Sequence, residues 1–331
     1  MRRVGVLAAA AAFFLAAGGG AQAAWEPTKT IEIVVAAGAG GASDQMARLI
    51  QSVITKHGLT KRPVIVTLKG GANGAEALMA MKSSAGDPHK IIIAYSAIYT
   101  LPLGAGIPFN WRDLTPVVML AEDEFVLWVN SETPYKTPAD YLDAVKKAGP
   151  GEFKMGGTGS KREDHIITTA IESQTGAKFS YIPYKSGGEA ATQLVGKHID
   201  SNVNNPSENI AQWRAGQVRA LCVFDSERMP YDKPVAGDLS WKSIPTCPET
   251  GLDVKYRMLR IFMLPGNVTK DQVAFYEDLF RKIAETPEYK EYLEQNALRP
   301  NFLVQKDLTG YLEKDEQFHK QLMTTAGFLA Q

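Results

Sequence analysis

The sequence predicts an α/β protein of two lobes, with mainly parallel sheets flanked by helices around a ligand cleft. Three observations carry this prediction. Short β-branched runs alternate with helical patterns, glycine turns join strand to helix at several points, and the composition changes where a chain passing between lobes would cross.

The N-terminus reads as an export signal. Arg2 and Arg3, the apolar run 4–17 and Ala21-Gln22-Ala23 form the charged head, apolar middle and A-x-A exit of a secretory signal peptide, residues 1–23, cleaved after Ala23 or Ala24. About 307 residues then remain, enough for two domains of ordinary size. No later segment approaches ~18 uninterrupted apolar residues, so a periplasmic chain without a membrane span is expected. Basic and acidic residues number 36 each; without Arg2 and Arg3 the count is 34 against 36, a formal charge of −2. Nucleic-acid binding would require a basic excess or stripe, so no nucleic-acid partner is expected. The two cysteines, Cys222 and Cys247, form either a disulfide or two buried thiols, and spacing does not decide between them.

Strands are expected at 31–35, 64–68, 90–95, 125–129, 153–156 and 219–224. Helix entrances follow from capping chemistry: Thr137 before Pro138 with Asp140, Thr269 with Gln272, and Thr286 before Pro287. The helix from about Lys270 carries Val273, Tyr276, Phe280 and Ile283 on one face, an ordinary core pattern. Residues 113–124, DLTPVVMLAEDE, end one αβ succession in acidic loop residues. A second crossing falls between about 224 and 264, through the proline-rich piece 229–248. Lobe 1 is therefore 24–124 plus 244–331, and lobe 2 is 125–243.

Four loops carry candidate chemistry. The stretch 37–43 follows a strand and opens a helix, the arrangement that presents backbone N–H groups to an anion. It lacks both G-x-G-x-x-G and an acidic residue closing the next strand, and no Gly-Lys-Ser or Gly-Lys-Thr occurs. An exported glycine cradle also has no ready nucleotide supply, so a carboxylate or other small anion fits better. The second loop, 69–74, stands at an equivalent place, and Ser96 lies beyond the next strand on the same wall. In the other lobe, Ser160 with Glu163 and Ser186 with Glu189 read as S-x-x-E capping boxes or as ligand contacts. Lys161 and Arg162 occupy a first helical turn, where a cation is unfavourable; a second ligand carboxylate or a solvated surface pair would account for them.

Catalysis is not expected. Ser160, Asp164 and His165 lie within one helical turn and cannot form a serine, histidine and acid relay; G-x-S-x-G is absent. Histidines 57, 89, 165, 198 and 319 show no metal-ligand spacing, so neither a metal nor a cofactor is expected.

The chain resembles the receptor family of tripartite tricarboxylate transporters, the Bug or TctC-like solute-binding proteins. The resemblance rests on Ala39-Gly40-Gly41-Ala42-Ser43-Asp44 with Ala47-Arg48, Gly71-Ala72-Asn73-Gly74, Gly157-Thr158-Gly159-Ser160 and Ile182-Pro183-Tyr184-Lys185-Ser186-Gly187-Gly188. The stretch 196–200 and Pro245-Thr246-Cys247-Pro248-Glu249-Thr250-Gly251 extend it over the mature chain. It implies a type II-like periplasmic binding protein fold that closes on a carboxylated solute and delivers it to membrane permease subunits. Carried over by position, Gly40, Gly41 and Ser43 would grip the carboxylate and Gly74 and Ser96 would border it. Thr158, Ser160, Tyr184 and Asp200 would close over it, and Arg162 would meet a distal carboxylate. The chain departs from the family pattern at Val35-Ala36-Ala37, where a proline and an aromatic are usual, and at Lys161-Arg162-Glu163-Asp164, in place of a histidine-leucine pair. The added basic residues point to a di- or tricarboxylate, aliphatic or aromatic. The chain is expected to act as a monomer; presentation of the ligand to a sensor kinase, and hydrolysis of a carboxylate ester, are the alternative roles.

Overall fold

The computed structural model describes residues 25–330, so the expected signal peptide lies outside the described residues. The chain begins β1 (Ile31–Val35), α1 (Ala42–His57), β2 (Val64–Leu68), α2 (Ala75–Lys82), β3 (Lys90–Ala94), α3 (Ala97–Ala105) and β4 (Leu114–Asp123). It continues through β5 (Val126–Asn130), α4 (Pro138–Ala148), β6 (Phe153–Thr158), α5 (Glu163–Thr175), β7 (Phe179–Tyr184), α6 (Gly187–Val195), β8 (Ser201–Asn204), α7 (Pro206–Arg214) and β9 (Val218–Val223). After the small pair β10 (Pro234–Ala236) and β11 (Leu239–Ser240) come β12 (Met258–Pro265), α8 (Lys270–Glu285), α9 (Pro287–Gln295), β13 (Arg299–Val304) and α10 (Gln305–Thr325).

Two mixed sheets result, ordered β13-β4-β12-β3-β1-β2 and β7-β6-β8-β5-β9. The expected parallel pairs are present: β1 with β2 and β3, and β6 with β7 and β8. Strands β4, β12 and β13 pair antiparallel in the first sheet, as β5 does with β8 and β9 in the second. Of these, β5 and β12 enter their sheets directly from the other lobe without a crossover helix and lie antiparallel to their neighbours, whereas β13 returns through α8 and α9.

The sheets are covered on both faces, which explains the nearly continuous apolar strands. Ile31, Ile33 and Val35 of β1 face Met46 and Ile50 of α1, while Val34 faces the opposite cluster with Leu78 and Met81 of α2. The helix entrances form as the capping chemistry requires: Thr137, Thr269 and Thr286 each accept a hydrogen bond from the first turn of α4, α8 and α9. The acidic end of 113–124 differs from expectation, because Glu122 and Asp123 belong to the strand 114–123 rather than to a loop. Their carboxylates are tolerated there because arginines meet them, Arg257 at Glu122 and Arg260 at Asp123.

The chain passes between the sheets at Glu124-Phe125 and again between Val223 and Met258. The passages touch: Phe224 N–H donates to the Phe125 carbonyl at 2.9 Å, and Asn205 Nδ2 donates to the Glu124 carbonyl at 2.7 Å. Cys222 and Cys247 are joined as a disulfide that fastens the second passage to the end of β9.

Glu124 is fully buried, pairs with Arg299, and lies beside Asp225. Burial first, and the Asp225 carboxylate second, push its carboxyl up to about 8. The folded protein therefore keeps a proton that the unfolded chain, with an ordinary glutamate, loses near pH 4.5. This contribution to stability is complete below about pH 4.5 and declines as pH rises through about 8, at no more than about 1.4 kcal/mol per pH unit. Glu124→Gln should show a shallower decline than wild type in urea unfolding across that window. Equal slopes would place the titration elsewhere.

Candidate functional site

The cleft is built where the carboxyl ends of β1, β6 and β7 and the entrance of α7 converge. Gly41 is the N-cap of α1, with extended backbone and no side chain to cap the helix. The Ala42 N–H therefore points into the cleft, where it donates to Glu208 Oε1 of α7 at 3.0 Å. A buried carboxylate from the opposite lobe thus occupies the helix N-terminus that the sequence marks for an anion. Glu208 also accepts from Asn205 N–H at 3.3 Å, and burial pushes its carboxyl up to about 7.

Further bonds tie the lobes across the cleft. Gly38 N–H donates to the Lys185 carbonyl at 3.2 Å, Ser186 Oγ to the Ala39 carbonyl at 3.0 Å, and Asn73 Nδ2 to the Ser160 carbonyl at 3.0 Å. Ser186 also caps α6 as expected, accepting from Glu189 N–H. Asn73 and Ala72 adopt positive φ values of 61° and 48°, which aims the Asn73 amide at lobe 2.

Two arginines define the interior. Arg162, only 4 % exposed, donates through Nε to Glu163, through Nη1 to the Asn73 carbonyl and through Nη2 to Tyr95 Oη. Its guanidinium also lies 4.8 Å from the Tyr95 ring centroid. Arg260 reaches from β12 to Asp123, to Ser43 Oγ at 2.8 Å and to Asn205 Oδ1 at 3.1 Å. Between them lies a cavity of about 30 Å³ whose lining includes Gly41, Ser43, Thr158, Glu163, Asp164 and Glu208. A cleft of about 470 Å³ outside it is lined by 70–73, Gly159, Ser160, Pro183, Tyr184, Lys185 and Glu189. Arg162 borders both spaces.

The structure brings Gly41, Ser43, Thr158 and Arg162 to the inner cavity and Ser160, Tyr184 and Arg162 to the outer one. The remaining expected residues lie elsewhere. Gly40, at φ 75°, is exposed, and its N–H is taken by Asp44 at 2.9 Å. Gly74, at φ 98°, packs so tightly that a Cβ would come within 2.8 Å of the Ala36 carbonyl oxygen. Ser96 is fully buried and accepts from Tyr256 Oη at 3.2 Å. Asp200 stands just before β8, at the end of the sheet away from the cleft, where Lys154 N–H holds it at 2.7 Å.

The Ser160 capping box does not form. The N-cap of α5 is Arg162, and Asp164 takes the Thr158 N–H. The histidine nearest the cleft offers no relay: His165 stacks on Tyr181 at 4.0 Å and accepts from Lys161 N–H, and burial pushes its pKa down to about 4. No group of histidine, cysteine or carboxylate side chains suited to a metal ion occurs among the described residues. Nor is any described helix long and apolar enough to cross a membrane.

A family model described as the tripartite tricarboxylate transporter family receptor matches residues 46–327. The chain belongs to that family. Its members are binding proteins of a transporter, and this receptor is accordingly a non-enzymatic solute-binding protein. Protein BugT of Bordetella pertussis is 30 % identical over 237 residues, covering 68 % of this chain and 67 % of BugT. Among solved structures, Rpa4515 of R. palustris with adipate superposes with a TM-score of 0.83 at 21 % identity, covering 92 % of this chain and 99 % of that one. MatC of Rhodopseudomonas palustris with bound malate gives a TM-score of 0.76 at 19 % identity, covering 91 % and 99 % of the two chains.

Proposed function

We propose that this receptor works in the periplasm, closing lobe 1 (24–124 with 244–331) and lobe 2 (125–243) on a carboxylated small molecule. It then hands the solute to the permease subunits of a tripartite transporter. The observation that supports this most is the carboxylate of Glu208 on the Ala42 N–H, because it marks the α1 entrance as a carboxylate site with matching geometry. Adipate and malate in the two structural relatives favour a ligand with more than one carboxylate, aliphatic or aromatic. Arg162 and Arg260 at the inner cavity provide fixed positive charge for such a ligand.

A thermal-shift screen across mono-, di- and tricarboxylates tests this reading. A ligand at about 100 times its dissociation constant should stabilise the receptor by about 2.7 kcal/mol, roughly 4 °C in melting temperature for a chain of this length. Gly41→Val should then abolish the shift. Position 41 has φ −73° and ψ 158°, which valine adopts readily, but an added Cβ already lies 3.4 Å from Ser186 Cβ and 3.6 Å from Glu208 Oε1. The Cβ itself makes only ordinary contacts, so it is the two further methyl groups of valine that would crowd Ser186, Glu208 and the Gly38 carbonyl and hinder closure. No response to any carboxylate, or an undiminished shift in Gly41→Val, would overturn the reading.

A further inference from the structure

Residues 326–330, which follow α10, join the two lobes at a place apart from the ligand spaces. Helix α10 packs on α3 and β4 of lobe 1, and α5 packs on β6 and β7 of lobe 2. Beyond α10 the chain turns back: Phe328 N–H donates to the Met323 carbonyl at 2.8 Å, and Ala330 N–H to the Leu103 carbonyl at 2.7 Å. This return lays the segment along α3 and carries the Phe328 ring across to lobe 2. There it meets His165 with ring centroids 4.6 Å apart, and His165 in turn stacks on Tyr181 at 4.0 Å.

A second contact stands beside the first. Lys161 Nζ donates to the Gly104 carbonyl at 3.3 Å, and a Cβ at Gly104 would come within 2.9 Å of Met323 Cε and 3.6 Å of Lys161 Cβ. The end of α3, the end of α10 and the entrance of α5 are therefore closely packed. Phe328, His165 and Tyr181 are each half-buried, and Phe328 and Tyr181 lie against one apolar cluster that includes Met323 of α10 and Ile166 of α5. Rings contributed by both lobes leave water when the lobes meet and return to it when they part.

We propose that the C-terminal segment is a latch: Phe328 of lobe 1 seats on His165 of lobe 2, holds the lobes together, and so positions the loop that carries Arg162. The linkage to that loop is short. His165 Nδ1 accepts the Lys161 N–H at 3.1 Å, with Lys161 at φ 58°, and Tyr181 Oη donates to the Gly159 carbonyl at 3.0 Å. The stacked pair thus holds residues 159–161 immediately before Arg162. Phe328, His165 and Gly104 stand outside the linings of the inner and outer spaces. Phe328 is therefore a positioning residue, acting on closure without touching the solute. This inference rests on the two-lobe reading and is independent of which solute binds.

Electron-resonance distance measurement between spin labels on Ser83→Cys, after α2, and Ser173→Cys, in α5, tests the latch. Both positions are exposed, and the native cysteines are already bonded to each other. Without added solute the labelled receptor should populate a short, closed distance. Phe328→Ala should lower its closed-to-open ratio roughly 5- to 20-fold, the scale of one aromatic side chain returned to water. His165→Ala should do the same from the other lobe, and the double variant should lose little more than either alone, because both remove one contact. Phe328→Leu, which keeps an apolar side chain, should recover most of the closed population.

A purely structural role for the segment would lower the urea unfolding midpoint of Phe328→Ala and leave the distances unchanged. A distribution that shifts with adipate or malate yet ignores Phe328→Ala overturns the latch and leaves closure on a solute intact. Strictly additive losses in the double variant also overturn it. A distribution that answers neither to the two acids nor to the variants defeats both readings.

Discussion

Asp123→Ala should cost the receptor about 3–5 kcal/mol, the expected penalty for leaving a buried charge without its partner. Asp123 and Arg260 are 1 % and 3 % exposed, and the guanidinium meets the carboxylate through both Nε and Nη2. Without Asp123, Arg260 keeps only neutral hydrogen-bond partners, Ser43 and Asn205. Equilibrium urea unfolding measures the loss. The double variant Asp123→Leu with Arg260→Met should lose far less, because removing both charges also removes their desolvation cost. A single-variant loss below about 1 kcal/mol would mean that Arg260 finds another counter-charge. The same arginine ties the first turn of α1 to Asn205 at the entrance of α7, so the single substitution should also weaken ligand capture.

Opening the Cys222–Cys247 disulfide should cost about 3–4 kcal/mol by the loop-entropy relation. The cysteines are 25 residues apart, and the segment between them contains the small pair β10–β11 and no long helix of its own. Cross-linking such a segment restricts the denatured chain more than it alters the folded one. Urea unfolding with and without reductant measures the loss with both sulfurs still in place. A double Cys222→Ala, Cys247→Ala variant adds the loss of two fully buried side chains. Unchanged stability on reduction would overturn the prediction. Bonding of this kind agrees with the oxidising compartment expected for an exported chain.

Much of the architecture could be read from local patterns. Strands β1, β2, β3, β5 and β9 announce themselves as apolar runs with β-branched residues, and Thr137, Thr269 and Thr286 announce the helices they cap. What escaped depended on distant partners. β4 ends in Glu122 and Asp123, whose place in a strand becomes reasonable only once Arg257, just before β12, and Arg260, within it, arrive. β12 itself lay within the stretch expected to be a crossing. Gly41, Ser43 and Thr158, singled out from glycine turns at strand ends, do line the inner cavity. Arg260, Glu208 and Asn205 were not legible. Their neighbours in sequence give no sign of the cleft, and Glu208 reads locally as the third residue of a capping box. Asp200 shows the converse: a polar residue in a family-like stretch that the fold places at the end of β8 away from the inner cavity.

The position of β12 has a consequence for the order in which the protein assembles. β12 lies between β3 and β4, pairing Ile261 with Ala94 and Met258 with Asp123. A chain emerging N-terminus first has all five strands of the second sheet, 126–223, available long before residue 258 appears. That sheet can close early from near neighbours. The first sheet must wait with the edges of β3 and β4 open, because its middle strand follows the whole second sheet and β13 comes later still. Long waits with exposed strand edges invite mispairing. The slow and vulnerable step in making this receptor is therefore completion of the lobe that begins the chain, by the segment that ends it.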